Sequence, residues 1–327
     1  MSVTQTFEWP GRLALRQAFS NQQIELAELG LARFERALMA EARQLAFGLH
    51  AAQTQALAVR EVSHRFAELR ATLVDRDPAG IAALLDLRVI EAADLSLQRR
   101  APSAELAVQS ALIDLNRRRG AALDAPLRVE INVPVFASPP PIADLLQAAL
   151  THNFDFATRR AELVQQGLRV DLARHEGRPS FIVSPFASSD RETVVGVDFS
   201  IPLPVNGEAG LRITAATARQ RQAEVALTVA RRQLERDLLT SSQAFAARMQ
   251  DLSVDSTASA AHFQEAATLA DRHYRLGAIN AGTYVELQRS YLDALEAISR
   301  NQADALSAAL ALEAVTHLTL VTFAPSS

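Results

Sequence analysis

Val3, Phe7 and Trp9 alternate with Thr4, Thr6 and Glu8, a period of two that predicts a two-faced strand over residues 2–10. Pro10-Gly11 ends it. From Arg12 to Val74 there is no proline, and the only glycines are Gly30 and Gly48. Leu31, Phe34, Leu38, Ala42, Leu45, Leu49, Ala52, Ala56, Val59, Val62, Phe66, Leu69 and Leu73 follow one another in steps of three and four. Those steps average about 3.5, the heptad value that predicts left-handed supercoiling against neighbouring helices. The expectation is one helix over 12–74, roughly 90 Å long and several times the length of a globular-domain helix.

The pattern returns roughly 192 residues later, as an internal repeat would. Val195, Val197, Phe199, Ile201 and Leu203 alternate with Gly196, Asp198 and Ser200, and Phe199-Ser200-Ile201-Pro202 lies over Phe7-Glu8-Trp9-Pro10. Past Pro204 and the bend at Gly207 and Gly210, no proline appears until Pro325. A second long helix is therefore expected over 211–276, with a patchier seam through Leu227, Ala230, Leu234, Leu238, Ser241, Phe245, Met249 and Leu252. Each long helix ends in a turn and reverses. Asp75 to Gly80 leads into a return helix over 80–118, broken at Pro102-Ser103, and Leu276 to Gly282 leads into one over 283–318. At an offset of roughly 202, Gly80 falls on Gly282, Leu85 on Leu287, Ile90 on Leu292 and Ala92 on Ala294.

Residues 121–141, rich in proline and with a short strand over 127–133, connect the halves. A helix over 142–175 and a strand over 180–187 precede the strand over 194–203, and the two strands pair across a polar loop. The chain thus reads as a first repeat over 1–120, a connector, a second repeat over 142–320 and a tail over 321–327. The first repeat lacks the opening helix and strand of the second, so roughly 50 or more residues are expected ahead of Met1.

Composition suits this picture. Of 327 residues, 49% are hydrophobic and 6% aromatic, as long Ala-rich helices require. A net charge of -4 with basic residues scattered among acidic ones implicates no nucleic acid. The absence of cysteine removes disulfides, thiol catalysis, thiolate metal sites and a lipidated N-terminal Cys. No run reaches the roughly 18 apolar residues of a membrane helix, and Met1-Ser2-Val3-Thr4 opens no signal peptide.

Strands of about nine to eleven residues that alternate apolar and polar are long enough to cross a bilayer in a β-barrel, lipid outside and water inside. Trp9 would sit near the interfacial belt. A few strands cannot close a barrel, so several chains must supply them jointly. The fold class expected is mainly α with a few β-strands: long antiparallel helical hairpins with coiled-coil spacing, joined to transmembrane barrel strands in two repeats.

Gln5-Thr6-Phe7-Glu8-Trp9-Pro10-Gly11, Ala173-Arg174-His175-Glu176-Gly177-Arg178-Pro179, Ile201-Pro202-Leu203-Pro204, and Ala270-Asp271-Arg272-His273-Tyr274-Arg275-Leu276-Gly277 with Tyr284-Val285-Glu286-Leu287-Gln288 carry a resemblance. Together they resemble the TolC-type outer-membrane efflux proteins, most closely the heavy-metal-efflux (cobalt-zinc-cadmium resistance) branch. The resemblance covers essentially the whole chain and departs at the N-terminus and at Pro102. It implies a homotrimer whose barrel lies in outer-membrane lipid, with a helical tunnel in the periplasm. It also implies passive conduction of exported substrate, heavy-metal cations, from a proton-driven inner-membrane pump of the resistance-nodulation-division type through a periplasmic adaptor (membrane fusion) protein.

No catalytic constellation is present. The histidines include no HExxH, and His175-Glu176, beside a helix-to-strand bend, reads as a local hydrogen-bonding pair rather than a metal site. There is no P-loop, GxGxxG or GxSxG, so no enzyme, cofactor or metal is expected. The turns are the functional candidates. Asp75, Arg76 and Asp77 at one, and Arg272, Arg275 and Asn280 at the other, would be repeated around an aperture, where ion pairs between hairpins hold it shut. Gly80, Leu276, Gly277, Gly282, Tyr284 and Leu287 resemble the family's adaptor-docking tip. Asp198 and Ser200 are expected on the lumen face of their strand. The alternatives are a soluble coiled-coil scaffold, which explains the long helices but leaves the apolar strand faces unburied, and a non-functional truncated relative.

Overall fold

The computed structural model describes residues 5–7, 11–75, 81–132, 134–176, 181–189, 193–201, 208–254 and 257–323. In chain order its elements are β1 (Gln5–Phe7), α1 (Arg12–Asp75), α2 (Ile81–Arg119), β2 (Pro134–Phe136), α3 (Ile142–His152), α4 (Phe154–Glu176), β3 (Phe181–Ser189), β4 (Thr193–Ser200), α5 (Glu208–Val254), α6 (Thr257–Arg275), α7 (Ala281–Thr316) and β5 (Val321–Phe323). The fold is mainly helical with a few strands. It divides into two units, one of Met1–Arg36, Ala143–Leu238 and Val315–His317, the other of Ala37–Ile142, Leu239–Ala314 and Leu318–Ser327.

In the first unit, β1, β3 and β4 form an antiparallel sheet in that order. The register pairs Val183 with Phe199 and Pro185 with Val197, which puts them on one face. Ser184 with Asp198 and Phe186 with Gly196 fall on the other. Of the strand expected over 2–10, Gln5–Phe7 is described, and the rest lies outside the described residues. The helix expected over 142–175 is two helices, because Asn153 interrupts it. Its side-chain carbonyl accepts from Phe156 N at 3.0 Å and caps α4, while its Nδ2 donates to Val315 O at 3.1 Å. Val170 and Ala173 of α4 bury against Ala216 of α5, with Ile213 alongside.

The second unit holds the larger core. Val59, Val62, Phe66 and Leu69 of α1 pack with Ile90 and Leu97 of α2, Ala270 of α6, and Tyr284 and Leu292 of α7. These α1 residues belong to the heptad seam, and Leu49 and Ala56 of the same seam are buried too. Of the second seam, Phe245 is buried in this unit, and Leu234 and Leu238 are buried in the first. The expected break at Pro102 does not occur, since α2 runs through it. Proline there removes one backbone hydrogen bond and strains the preceding turn, but Leu97, Ala101 and Ala104 all pack on the core around it, and that burial holds the helix across the defect. The second long helix is described as α5 and α6, with 255–256 between them outside the described residues.

The strand expected over 127–133 is not formed over residues 127–132. Side chains of α1 take the place of a partner strand there. Gln53 Nε2 donates to Leu127 O at 2.7 Å, Val129 N donates to Gln53 Oε1 at 3.2 Å, and His50 Nδ1 lies 3.0 Å from Val129 O. The strand forms instead at β2, which pairs antiparallel with β5, a strand in what the sequence presents as a tail. Glu313 Oε1 fixes its start by accepting from Leu320 N at 2.6 Å and Val321 N at 2.9 Å.

Candidate functional site

The turn between α6 and α7 is built from its own backbone. Gly277 has φ +72°, the left-handed conformation that only glycine adopts at little cost. Ala278 N donates to His273 O and Gly277 N to Tyr274 O, both at 2.9 Å, which is the Schellman closure of a helix C-terminus. Asn280 then opens α7, its Oδ1 accepting from Thr283 N at 2.8 Å. Leu276 is left 72% exposed at the apex. Gly282 is exposed one residue inside α7.

An aromatic stack supports the turn from below. Tyr284 is wholly buried, with its ring 5.0 Å from Tyr274 and 5.1 Å from Phe66 of α1. Its hydroxyl donates to Asp271 Oδ1 at 3.3 Å. Burial, then the neighbouring Asp271 charge, raises its pKa, so it stays a protonated donor. Tyr274 is raised in the same direction, chiefly by burial. Leu287 is half-buried against the same core. Tyr284 is thus buried beneath the apex, and Leu276 is the exposed apolar side chain of the turn.

Of the charges expected at this turn, Arg275 is paired within the chain. Arg275 bonds Asp271 at 2.9 Å and Glu68 of α1 at 3.4 Å, and those carboxylates, Asp271 first, raise its pKa further. Arg272 is exposed, with no ion-pair partner among the described residues. At the other turn Asp75 is the last residue of α1, and Arg76, Asp77 and Gly80 lie outside the described residues. One turn beyond Tyr284 along α7, Gln288 is buried, and its Nε2 donates to Ala267 O at 2.6 Å. A cleft of about 530 Å³ beside it is lined by Val62, Leu97, Val285 and Leu292. Arg100 stands at the cleft, held 2.9 Å from both Asp293 and Glu296. Among the described residues no three acidic or histidine side chains gather as a metal site.

The second candidate surface is the β3–β4 pair. Val195, Val197, Phe199 and Ile201 are 77%, 53%, 73% and 50% exposed. Asp198 and Ser200 are exposed on the opposite face, in register with Ser184 and Ile182. One face of this sheet is therefore apolar and uncovered, while the other carries Ser184, Asp198 and Ser200 beside Ile182, Phe186 and Gly196.

This combination of strands and long helices has close structural counterparts. The outer membrane channel CmeC of Campylobacter jejuni superposes with a TM-score of 0.72 at 16% identity, over 96% of this chain and 70% of that one. This chain has the fold of outer-membrane channels. CusC, a protein that forms a transmembrane channel, superposes at 0.75 with 15% identity, over 96% of this chain and 76% of its own. The outer membrane channel MtrE of Neisseria gonorrhoeae, in its open state, superposes at 0.72 with 17% identity, over 96% and 73%. No family model and no curated sequence matches the chain.

Several residues of the site escape a reading of the sequence. Asp271, Glu68 and Gln288 are single polar residues on helices; Asp271 and Arg275 have i,i+4 spacing, but the bonds of Asp271 to Tyr284, Glu68 to Arg275 and Gln288 to Ala267 form only where the helices pack. Phe66 and Tyr284 are legible as seam and turn residues, but their mutual contact is not.

Proposed function

We propose that this chain is a subunit of an outer-membrane exit duct. It forms a homotrimer whose protomers jointly supply a barrel, with the helices extending into the periplasm as a tunnel. The observation that carries the reading is the β3–β4 pair. An apolar face with Phe199 73% and Val195 77% exposed, backed by a face bearing Ser184, Asp198 and Ser200, is what a wall between lipid and water needs. The long helices and the recurrence of strand, helix, turn and return helix along the sequence support it. The duct conducts passively and is not an enzyme. Its cargo, on the sequence resemblance, is heavy-metal cations delivered by a proton-driven inner-membrane pump through a periplasmic adaptor.

The adaptor docks at the helical turns, where exposed Leu276 is presented by the Gly277 closure and the buried Tyr284. Arg275 serves as a latch. Its bond to Glu68 holds α6 to α1 while Asp271, one turn back on α6, orients it, and opening exchanges the Glu68 bond. Arg275→Glu would place three carboxylates together and is expected to raise the open fraction of reconstituted channels; channels gating as wild type would remove Arg275 from the latch.

Expression followed by membrane fractionation and planar-bilayer recording tests the main reading. A detergent-extracted protein in the outer-membrane fraction that forms large, stable pores supports it. A protein that stays in solution without detergent and forms no pores overturns it.

A further inference from the structure

Phe186 and Gly196 are direct partners in the β3–β4 register. Their neighbours on the same face are Ser184, Asp198 and Ser200, two-residue steps along each strand. A Cβ placed on Gly196 would lie 2.6 Å from Phe186 Cζ and 2.8 Å from its Cε1, closer than carbon atoms approach without displacement. The ring therefore lies down across β4, its outer edge filling the space a side chain at 196 would need. Phe186 is still 38% exposed, so the ring also faces away from the sheet. Among the described side chains it is the one aromatic on this face of β3 and β4, a face it shares with Ile182, Ser184, Asp198 and Ser200.

Resting on the duct reading above, we propose that Phe186 and Gly196 together set the width and cation preference of the pore near the β3–β4 hairpin. Gly196 is the slot that keeps the ring against the wall. The ring then lines the water path with its π face, two residues along from the Asp198 carboxylate, and both groups attract cations. The backbone of β4 is held by the hydrogen-bonded ladder with β3, whereas Phe186 turns about χ1 between staggered wells. A methyl group at 196 therefore evicts the ring rather than moving the strand. The ring then stands into the water path, once per copy of the chain.

Single-channel conductance of full-length protein in planar bilayers tests this. Gly196→Ala is expected to lower conductance by roughly two-fold. Phe186→Ala raises it modestly, and the Phe186→Ala, Gly196→Ala double variant matches Phe186→Ala because no ring remains to evict. A Gly196→Ala channel that conducts as wild type, or a loss that persists in the double variant, overturns the proposal. Should Gly196→Ala not assemble, the permeability of tetramethylammonium relative to potassium decides. Phe186→Ala is expected to lower that ratio, and an unchanged ratio overturns the proposal. Absence of any wild-type pore would instead fail the duct reading and take this proposal with it.

Discussion

Tyr284 is buried to the hydroxyl, and the one polar group it brings inside finds Asp271 at 3.3 Å. Asp271 also holds Arg275 at 2.9 Å, so removing the hydroxyl leaves the carboxylate partnered. Tyr284→Phe is expected to cost about 1 kcal/mol, whereas Tyr284→Ala, which opens a cavity beside Phe66 and Tyr274, should cost roughly 3–5 kcal/mol. Denaturant midpoints of the solubilised protein would separate them, and equal losses would mean that the hydroxyl rather than the ring carries the stack. The two glycines of the turn, alike in sequence, separate in the same assay. Gly277 needs its positive φ, so Gly277→Ala should cost roughly 1–2 kcal/mol. Gly282 has no such demand, and the nearest atom to an added Cβ is Asn280 Oδ1 at 3.4 Å, so Gly282→Ala should be close to neutral.

At the scale of elements, Pro102 and His317 mark where local chemistry works against the helix that contains or precedes it. Pro102→Ala would restore a backbone donor and relieve the preceding turn in an exposed stretch of α2. It is expected to raise stability by roughly 1–3 kcal/mol, and a loss of stability would mean that α2 needs a local bend. His317 follows α7 with φ +61°, and its ring meets Phe154 edge-on at 4.4 Å. Burial, then the Arg36 and His152 charges, lowers its pKa below the ordinary 6.5. The unfolded chain therefore binds this proton first, so the stability present above pH 6.5 is lost as pH falls towards the folded value. His317→Asn, which tolerates positive φ, should flatten stability between pH 7 and 5; an unchanged slope would place the titration elsewhere. The elements themselves were largely legible because a heptad seam without proline has one reading, and Val59, Val62 and Phe66 are buried where that seam puts them. Leu127, Val129 and Ile131 misled because their alternation is that of a strand, while the partners of that backbone, His50 and Gln53, lie far away in sequence. β5 is three residues long, too short for any period to show, and Glu313 fixes its start through bonds that only folding creates.

At the scale of the molecule, the α1 seam changes character along its length. Leu49, Val59 and Phe66 are buried, yet Leu31 and Phe34, on the same stripe, are 59% and 63% exposed. Within the first unit, Leu211, Val225 and Val229 of α5 are likewise 72%, 64% and 62% exposed. A seam with heptad spacing and no cover in its own chain is what helix packing against another copy consumes. On the trimeric reading, the solubilised protein should have three times the 35.5 kDa of the chain. Leu31→Glu with Phe34→Glu should then shift it towards monomer, because six carboxylates enter apolar contacts whose desolvation cost nothing offsets. Since both side chains are exposed in the single chain, the helical signal in circular dichroism should stay unchanged. Light scattering in detergent reads the mass: loss of the trimer with retained helicity supports joint supply of the barrel by three chains. A charged variant that remains trimeric would mean that this stripe faces water in the assembly, and that the protomers join through the strands alone.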